Sequence, residues 1–188
     1  MLRWQFAVLS LSLALAFACV CSAQPSRGEL FTGYSFARQA DLNFNGWNVA
    51  VVGNYNAWFG IAVDVSGHYL SNNDVIQAVP VTTNHHLYDI RAGPRFKFLP
   101  YRKLTPFAQG LLGGNFYRAS SNSRVAPAMQ VSEAKSRGFA AAIGFGFDYD
   151  LNDVVAFRLL QADYSIVRVP GDALNGFRLA IGIVFKFN

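Results

Sequence analysis

The chain is poor in charge. Only 14% of its 188 residues are Asp, Glu, Lys or Arg, whereas 52% are hydrophobic. It also lacks long apolar runs. Beyond the N-terminus no stretch approaches the ~18 uninterrupted apolar residues that a membrane helix needs, which excludes a helical span there. Cysteine is missing from most of the chain, because Cys19 and Cys21 both fall within the first 23 residues. The remaining residues can hold no disulfide, so an exported protein of this kind must draw its stability from elsewhere. A strong excess of one sign is absent as well. Setting Arg3 aside, fifteen basic residues face eleven acidic ones. The basic residues are scattered, which argues against nucleic acid as a partner.

What is present begins with an export signal. Arg3 supplies a positive start, Phe6–Val20 is apolar, and Cys21–Ser22–Ala23 offers a small-residue cleavage site before Gln24–Pro25. Cys19 could also be read as a lipoprotein cysteine, but Phe17 stands where that motif wants a small residue. We therefore expect a signal peptide over residues 1–23 and one domain over 24–188, a length sufficient for a full core. Gly is frequent at 16, Phe at 17 and Tyr at 8, which suits a β protein with an unusual surface.

From Glu29 onward, large apolar residues recur at every second position, the mark of strands whose two faces see different surroundings. The first segment puts Leu30, Thr32, Tyr34 and Phe36 on one face, and the second Trp47, Val49, Val51 and Tyr55. The third carries Phe59, Ile61, Val63, Val65 and Tyr69, and the fourth Tyr88, Ile90, Ala92, Phe96 and Phe98. Pro106–Tyr117 alternates weakly, with Ala108, Leu112 and Phe116 on the apolar face, whereas Gly138–Tyr149 alternates clearly. In Val154–Val167 the phase slips by one residue at Leu159–Leu160, which predicts a β-bulge. The closing segment, Phe177–Phe187, brings the count to eight. About ten residues of such alternation span a bilayer as a tilted strand. No strand can do so unless its neighbours close a barrel around it.

The connections alternate in length. Asn56–Ala57, Pro100–Leu104 and Leu151–Asp153 are short, whereas Arg38–Asn45, Leu70–His86, Arg118–Arg137 and Arg168–Asn175 are long and polar. Short turns at one end and long loops at the other is the pattern of outer-membrane barrels. A soluble barrel of lipocalin type, with its apolar face inward, is the competing reading. Two features decide between them. Aromatic residues sort to the two ends of the strands and leave an aliphatic middle (Val49, Val51, Ile61, Val63, Ile90, Ile143, Ile181, Ile183). That sorting matches two bilayer interfaces. The opposite face is largely Gly, Ala, Ser and Asn with charges of both signs, which fits the narrow, side-chain-filled interior of an eight-stranded barrel.

The expected lumen charges are Glu29, Asp64, Asp89, Arg91, Arg95, Lys97, Asp148, Arg158, Asp163, Arg178 and Lys186. Buried charges must pair or be hydrated. Closure should make Glu29 and Lys186 near neighbours, since they lie at the inner ends of the first and last strands.

The segment Glu29–Arg38, the run Gln161-Ala162-Asp163-Tyr164 and the closing strand are similar to those of bacterial outer-membrane β-barrel-domain proteins. Across the expected mature chain the layout resembles the small eight-stranded outer-membrane barrels of the OmpA membrane-domain and OmpX type. The resemblance implies an all-β, eight-stranded antiparallel up-and-down transmembrane barrel in the bacterial outer membrane. It implies insertion by the barrel-assembly machinery, which reads the aromatic-rich last strand, here Phe177, Ile181, Ile183, Phe185 and Phe187. Asn188 follows where that signal usually ends on an aromatic. The expected partners are outer-membrane lipids and lipopolysaccharide, whose phosphates Arg118, Arg124, Lys135 and Arg137 could engage.

Signals of chemistry are weak. His68–Asn72 loosely resembles the His-x-Ser-Asn stretch of lipid A deacylases, but His68 and Ser71 are three apart and on a strand would face opposite sides. His85–His86 could ligate a metal, yet no Cys, Asp or Glu stands at ligand spacing. Gly144–Gly146 lies within a strand and does not open a helix, so it is no phosphate-binding loop. The reading is therefore a non-enzymatic barrel without cofactor, structural or acting through its loops. A small channel gated by the lumen charges is the alternative.

Overall fold

The computed structural model describes residues 26–39, 42–76, 79–99, 102–125, 128–169 and 172–187. The expected signal peptide, Cys19 and Asn188 lie outside the described residues. Eight strands follow one another: β1 (Gly28–Gln39), β2 (Leu42–Asn54), β3 (Phe59–Ile76), β4 (Val79–Lys97), β5 (Leu104–Val125), β6 (Ala128–Asp150), β7 (Val155–Val169) and β8 (Asp172–Phe187). Each pairs antiparallel with its sequence neighbours, and β1 pairs with β8 to close the barrel. Every ladder position thus has a partner strand, as a spanning sheet requires.

The expected phases hold, and they turn the barrel inside out relative to a soluble one. Val51, Ile61, Val63, Ile90, Leu112 and Ile143 point outward and are exposed, Ile143 to 77%. Asp64, Arg95 and Arg158 point inward at 0% exposure. A water-soluble protein does not present a continuous aliphatic band and hide its arginines. Above that band Tyr34, Trp47, Tyr69, Tyr88, Phe116, Phe139, Tyr164 and Phe177 form an exposed outer girdle. Below it Tyr55, Trp58, Phe96, Phe98, Tyr149, Phe157, Phe185 and Phe187 form the inner one. In the outer girdle Trp47 Nε1 donates to Tyr69 OH at 3.4 Å, and the Tyr69 and Tyr88 rings meet edge-on at 5.9 Å.

The slip in β7 is a bulge. Asp148 pairs with Arg158 and Phe147 with Leu160, so Leu159 is the extra residue against β6. Against β8 the register likewise shifts between Arg158 and Gln161. Leu159 and Leu160 therefore both stand on the lipid side, and Arg158 and Gln161 both reach inward. The weak alternation of β5 has an equally local cause. Phe107 and Leu111 are apolar but inward-facing and buried, so β5 carries apolar residues on both faces.

Two of the short turns are built alike. Asn56 Oδ1 accepts from the amides of Trp58 and Phe59, both at 2.8 Å. Asn152 Oδ1 accepts from those of Val154 and Val155 at 2.9 and 2.7 Å. An Asn side chain that mimics a backbone turn in this way sets the chain direction locally. The turn between β4 and β5 instead places Leu99 at φ 53°, with Arg102 N donating to Leu99 O at 3.1 Å.

At the other end the long links are mostly ladder. Pairing in β3–β4 continues to Ile76 and Val79, and in β5–β6 to Val125 and Ala128. The connections expected as loops are thus hairpins standing on the barrel, because an antiparallel pair satisfies its backbone groups better than an open loop does. At the closing seam Gly33 faces Gly182, and a Cβ on either would strike the backbone of the opposite strand. Glycine is what lets the two edges meet this closely.

Candidate functional site

All eleven charges expected in the lumen lie on the inward face. Arg178, on β8, is their centre. Its Nη1 donates to Asp64 Oδ1 at 2.6 Å and to Ser66 Oγ at 3.0 Å, reaching β3 across the lumen. Its Nε and Nη2 donate to Asp163 Oδ2 at 3.0 and 2.7 Å. Asp163 also accepts from Gln161 and Gln109, each at 2.8 Å. Arg158 grips Asp148 through Nε and Nη2 at 2.7 and 3.0 Å and gives Nη1 to Gln161 at 2.6 Å. Arg95 has no carboxylate at ion-pair distance among the described residues. Its Nε and Nη2 share Gln109 Oε1 at 3.0 and 2.6 Å, and its guanidinium stacks on Phe107 at 4.4 Å. Arg158 covers the same ring at 4.5 Å and Phe31 at 4.2 Å. The two aromatic faces take the place of water above these cations. The result is a continuous polar plug at mid-height, built largely from charge-assisted bonds, in which Arg95 Nη1 and Asn48 Oδ1 are left without a partner among the described residues.

The two ends differ from it. Toward the short turns, Glu29 and Lys186 are register partners, as closure requires. Their ion pairs go elsewhere, Glu29 to Lys97 and Lys186 to Asp150 at 2.5 Å. Asp150 was missed in the sequence, although it lies two positions beyond Asp148 in the same inward phase. Gln109, Gln161, Asn115 and the two stacking rings were missed as network members because parity identifies a face and not a bond. Toward the hairpins, Arg91 Nη2 meets Asp89 Oδ1 at 2.8 Å, and Asn115 Nδ2 donates to the same oxygen at 2.8 Å.

His68 does pair with a serine, though not Ser71. Its Nε2 lies 2.8 Å from Ser35 Oγ, both fully buried, whereas Ser71 is exposed. Its Nδ1 has no partner among the described residues, so no carboxylate orients the ring as a catalytic base needs. His85 Nδ1 lies 2.6 Å from Tyr117 OH and the rings stack. His86 meets the edge of Tyr69. The two histidines part to opposite faces, and no group of three metal-ligating side chains occurs among the described residues. The expected insertion signal, Phe177, Ile181, Ile183, Phe185 and Phe187, is the exposed outward face of β8.

A basic strip crosses the outside of β5, β6 and β7. Arg118 and Lys135 are register partners, Arg137 is opposite Phe116, and Arg168 is opposite Phe139. All four basic side chains are exposed and stand at or just above the outer aromatic girdle. Glu133 lies between Arg118 at 2.6 Å and Lys135 at 3.3 Å. The hydrogen bond from Arg118, and next that from Lys135, hold its carboxyl below the usual carboxylate range.

No family model and no curated protein matches this sequence. Solved structures do match its shape. Ail, the attachment invasion locus protein of Yersinia pestis, superposes with a TM-score of 0.64 at 16% identity over 87% of this chain and 100% of that one. Neisserial surface protein A gives 0.59 at 16% identity over 86% and 98%. OprG of Pseudomonas aeruginosa gives 0.55 at 11% identity over 89% and 98%. Identities this low speak to architecture alone, and on it they agree with the inverted exposure and the closed ladder: this chain has the fold of the small eight-stranded outer-membrane barrels.

Proposed function

We propose that the protein resides in the bacterial outer membrane and acts through its outer face, with the barrel as anchor and lipopolysaccharide phosphates as ligands. The observation that carries this reading is the strip of Arg118, Lys135, Arg137 and Arg168. These side chains point toward lipid, not into the lumen, at the level of the aromatic girdle. That is the height of lipid headgroups, where aromatic rings settle. Arginine forks suit phosphate oxygens. Glu133 offsets only part of the charge. The architecture adds support, since Ail, of the same fold, has been solved in complex with the heparin analogue sucrose octasulfate, a polyanion. The filled lumen favours an anchor over a pore, and the outward aromatic face of β8 fits insertion by the barrel-assembly machinery.

The test replaces Arg118, Lys135, Arg137 and Arg168 with Gln in protein refolded in detergent and titrates lipopolysaccharide. At roughly 1 kcal/mol per basic side chain near an anionic surface, with Glu133 offsetting one of the four, affinity falls by about a hundredfold or more and its salt dependence weakens. Undiminished binding by the quadruple variant would overturn the proposal.

A further inference from the structure

The lipid-facing wall is not even. Below the basic strip, on the outside of β4 to β7, lies a groove of about 420 Å³. Ala92, Gly110 and Ala141 keep it open, because each puts a methyl group or nothing on the outward face. A Cβ on Gly110 would meet no atom within 4 Å. Beside it the β4–β5 pairing skips Gly93 and Pro94, and proline has no amide hydrogen to give. The rims are taller. Ile143 is the register partner of Gly110, and Ala141 lies between Leu112 on β5 and Ile166 on β7. No charged side chain lines the groove among the described residues.

Its upper end meets the strip. Arg168 follows Ile166 by two positions on β7 in the same outward phase, so roughly 7 Å separates them along the strand. Arg137 precedes Ala141 by four positions on β6, roughly 13 Å. Cations at headgroup height thus stand over an apolar channel in the same wall.

A groove left empty against lipid forfeits dispersion contacts along its length. A second copy of the chain fits it poorly. Two barrels inserted in one direction and joined through this wall would set Arg137 and Arg168 against their own duplicates, and like charges in an interface repel. An amphiphile with a phosphate above and an acyl chain below matches both ends. We infer that one acyl chain of lipopolysaccharide lies in this groove while a phosphate of the same molecule meets Arg168 and Arg137. The inference rests on the reading of the strip as a phosphate site and adds the seat of the chain. Bilayer tails are as apolar as the groove walls, so the seat selects by shape and by the tether to the headgroup.

The experiment is methyl NMR on the full barrel in perdeuterated detergent, with Ile, Leu and Val methyls protonated in a deuterated background. Lipopolysaccharide is titrated in, and cross-relaxation from its acyl-chain protons is read at each methyl. Ile166 in the groove and Ile183 on β8, outside it, are 43% and 42% exposed, so unspecific lipid touches them alike. The expected result is saturable transfer to Ile166, Ile143 and Leu112 that exceeds transfer to Ile183. Gly110→Phe fills the groove and removes no side-chain contact. It should abolish the excess while deacylated lipopolysaccharide still binds. Each sample is checked first for its folded band on an unheated gel. Should Gly110→Phe fail to fold, the comparison of Ile166 with Ile183 in the unaltered protein decides the point. Equal transfer to the two overturns the groove and leaves the strip standing. An excess that survives Gly110→Phe overturns it as well. The same pattern from phosphatidylglycerol overturns the assignment to lipopolysaccharide. Deacylated lipopolysaccharide tells the two readings apart. If its binding ignores the four Gln substitutions in the strip, the phosphate reading fails, and this inference with it.

Discussion

Glu29 and Lys186 face each other across the β1–β8 seam, yet each finds its counter-charge on a different strand, Lys97 on β4 and Asp150 on β6. The seam is therefore closed by backbone ladder and glycine contact, and the charges at its inner end tie it to the far walls. Among the described residues the ion pairs inside the lumen fall into three groups, at the inner end, at mid-height and at the outer mouth.

The mid-height group should dominate stability. Arg178 serves two buried aspartates, so Arg178→Met strands both. The expected cost is about 3–5 kcal/mol, the usual loss when one partner of a buried pair is removed. Lys186 is partly exposed, and Lys186→Met should cost about 1 kcal/mol or less. Urea unfolding of the two variants in the same micelles gives the comparison. Equal losses would mean that the plug does not hold the barrel together.

The bulge makes a prediction about deletions. Removing Leu159 leaves Arg158 inward, one leucine outward and Gln161 inward, a regular strand. This variant should still give a folded, detergent-resistant barrel. Removing Ala162 instead brings Gln161 against Asp163, two inward residues in succession. One of them must turn to lipid, or the strand must slip and expose its polar face. That variant should not refold. Refolding yield on unheated gels separates the two, and equal yields would contradict the assigned register.

How much of this was legible in the sequence depends on what alternation records. Period two reports which solvent each face meets, so the strand phases, the slip at Leu159–Leu160 and the inward side of all eleven charges could be read directly. It does not report how far a side chain reaches. Arg178 spans from β8 to Asp64 on β3, and Lys97 from β4 to Glu29 on β1, distances fixed only once the barrel has closed. The tall hairpins were hidden for a related reason. Beyond the outer girdle none of the described side chains at 70–73, 81–86, 118–122 and 132–137 is fully buried, and the alternation fades even though the ladder continues. The apolar lining of the outer mouth was hidden with them, since Leu42, Phe44 and Leu174 sit in stretches that read as loops.

Acid should loosen the hairpin of β3 and β4 at its base. His85 lies above the outer girdle, and burial, then the neighbouring His86, pull its pKa below the ordinary value of 6.5. Its folded form thus binds fewer protons than its unfolded form. The contribution to stability is complete above about pH 6.5 and is lost as the pH falls through and below that value. Hydrogen exchange at the amides near His85 and Tyr117 should quicken between about pH 7 and pH 5, and His85→Phe should flatten the change. Exchange that slows toward acid, after correction for intrinsic rates, would reverse the sign and contradict the burial of that ring.

Closure can be tested on the outside of the seam without disturbing an ion pair. Thr32 and Ile183 are outward-facing register partners on β1 and β8. The domain expected after signal removal contains no cysteine. Thr32→Cys with Ile183→Cys should therefore form one disulfide on mild oxidation in the folded state, as opposed residues on paired strands lie near bonding distance. The pair Thr32→Cys with Ile143→Cys, on separated strands, should not.

The most direct measurement is electrophoretic. Residues 24–188 would be refolded in detergent and run on an SDS gel with and without boiling. A closed barrel with its apolar face outward resists SDS until heated, so the unboiled sample should migrate as a distinct compact band that shifts on boiling. Identical mobilities, from a protein that is folded and soluble without detergent, would contradict the inverted barrel and return the aliphatic face to a water-shielded core.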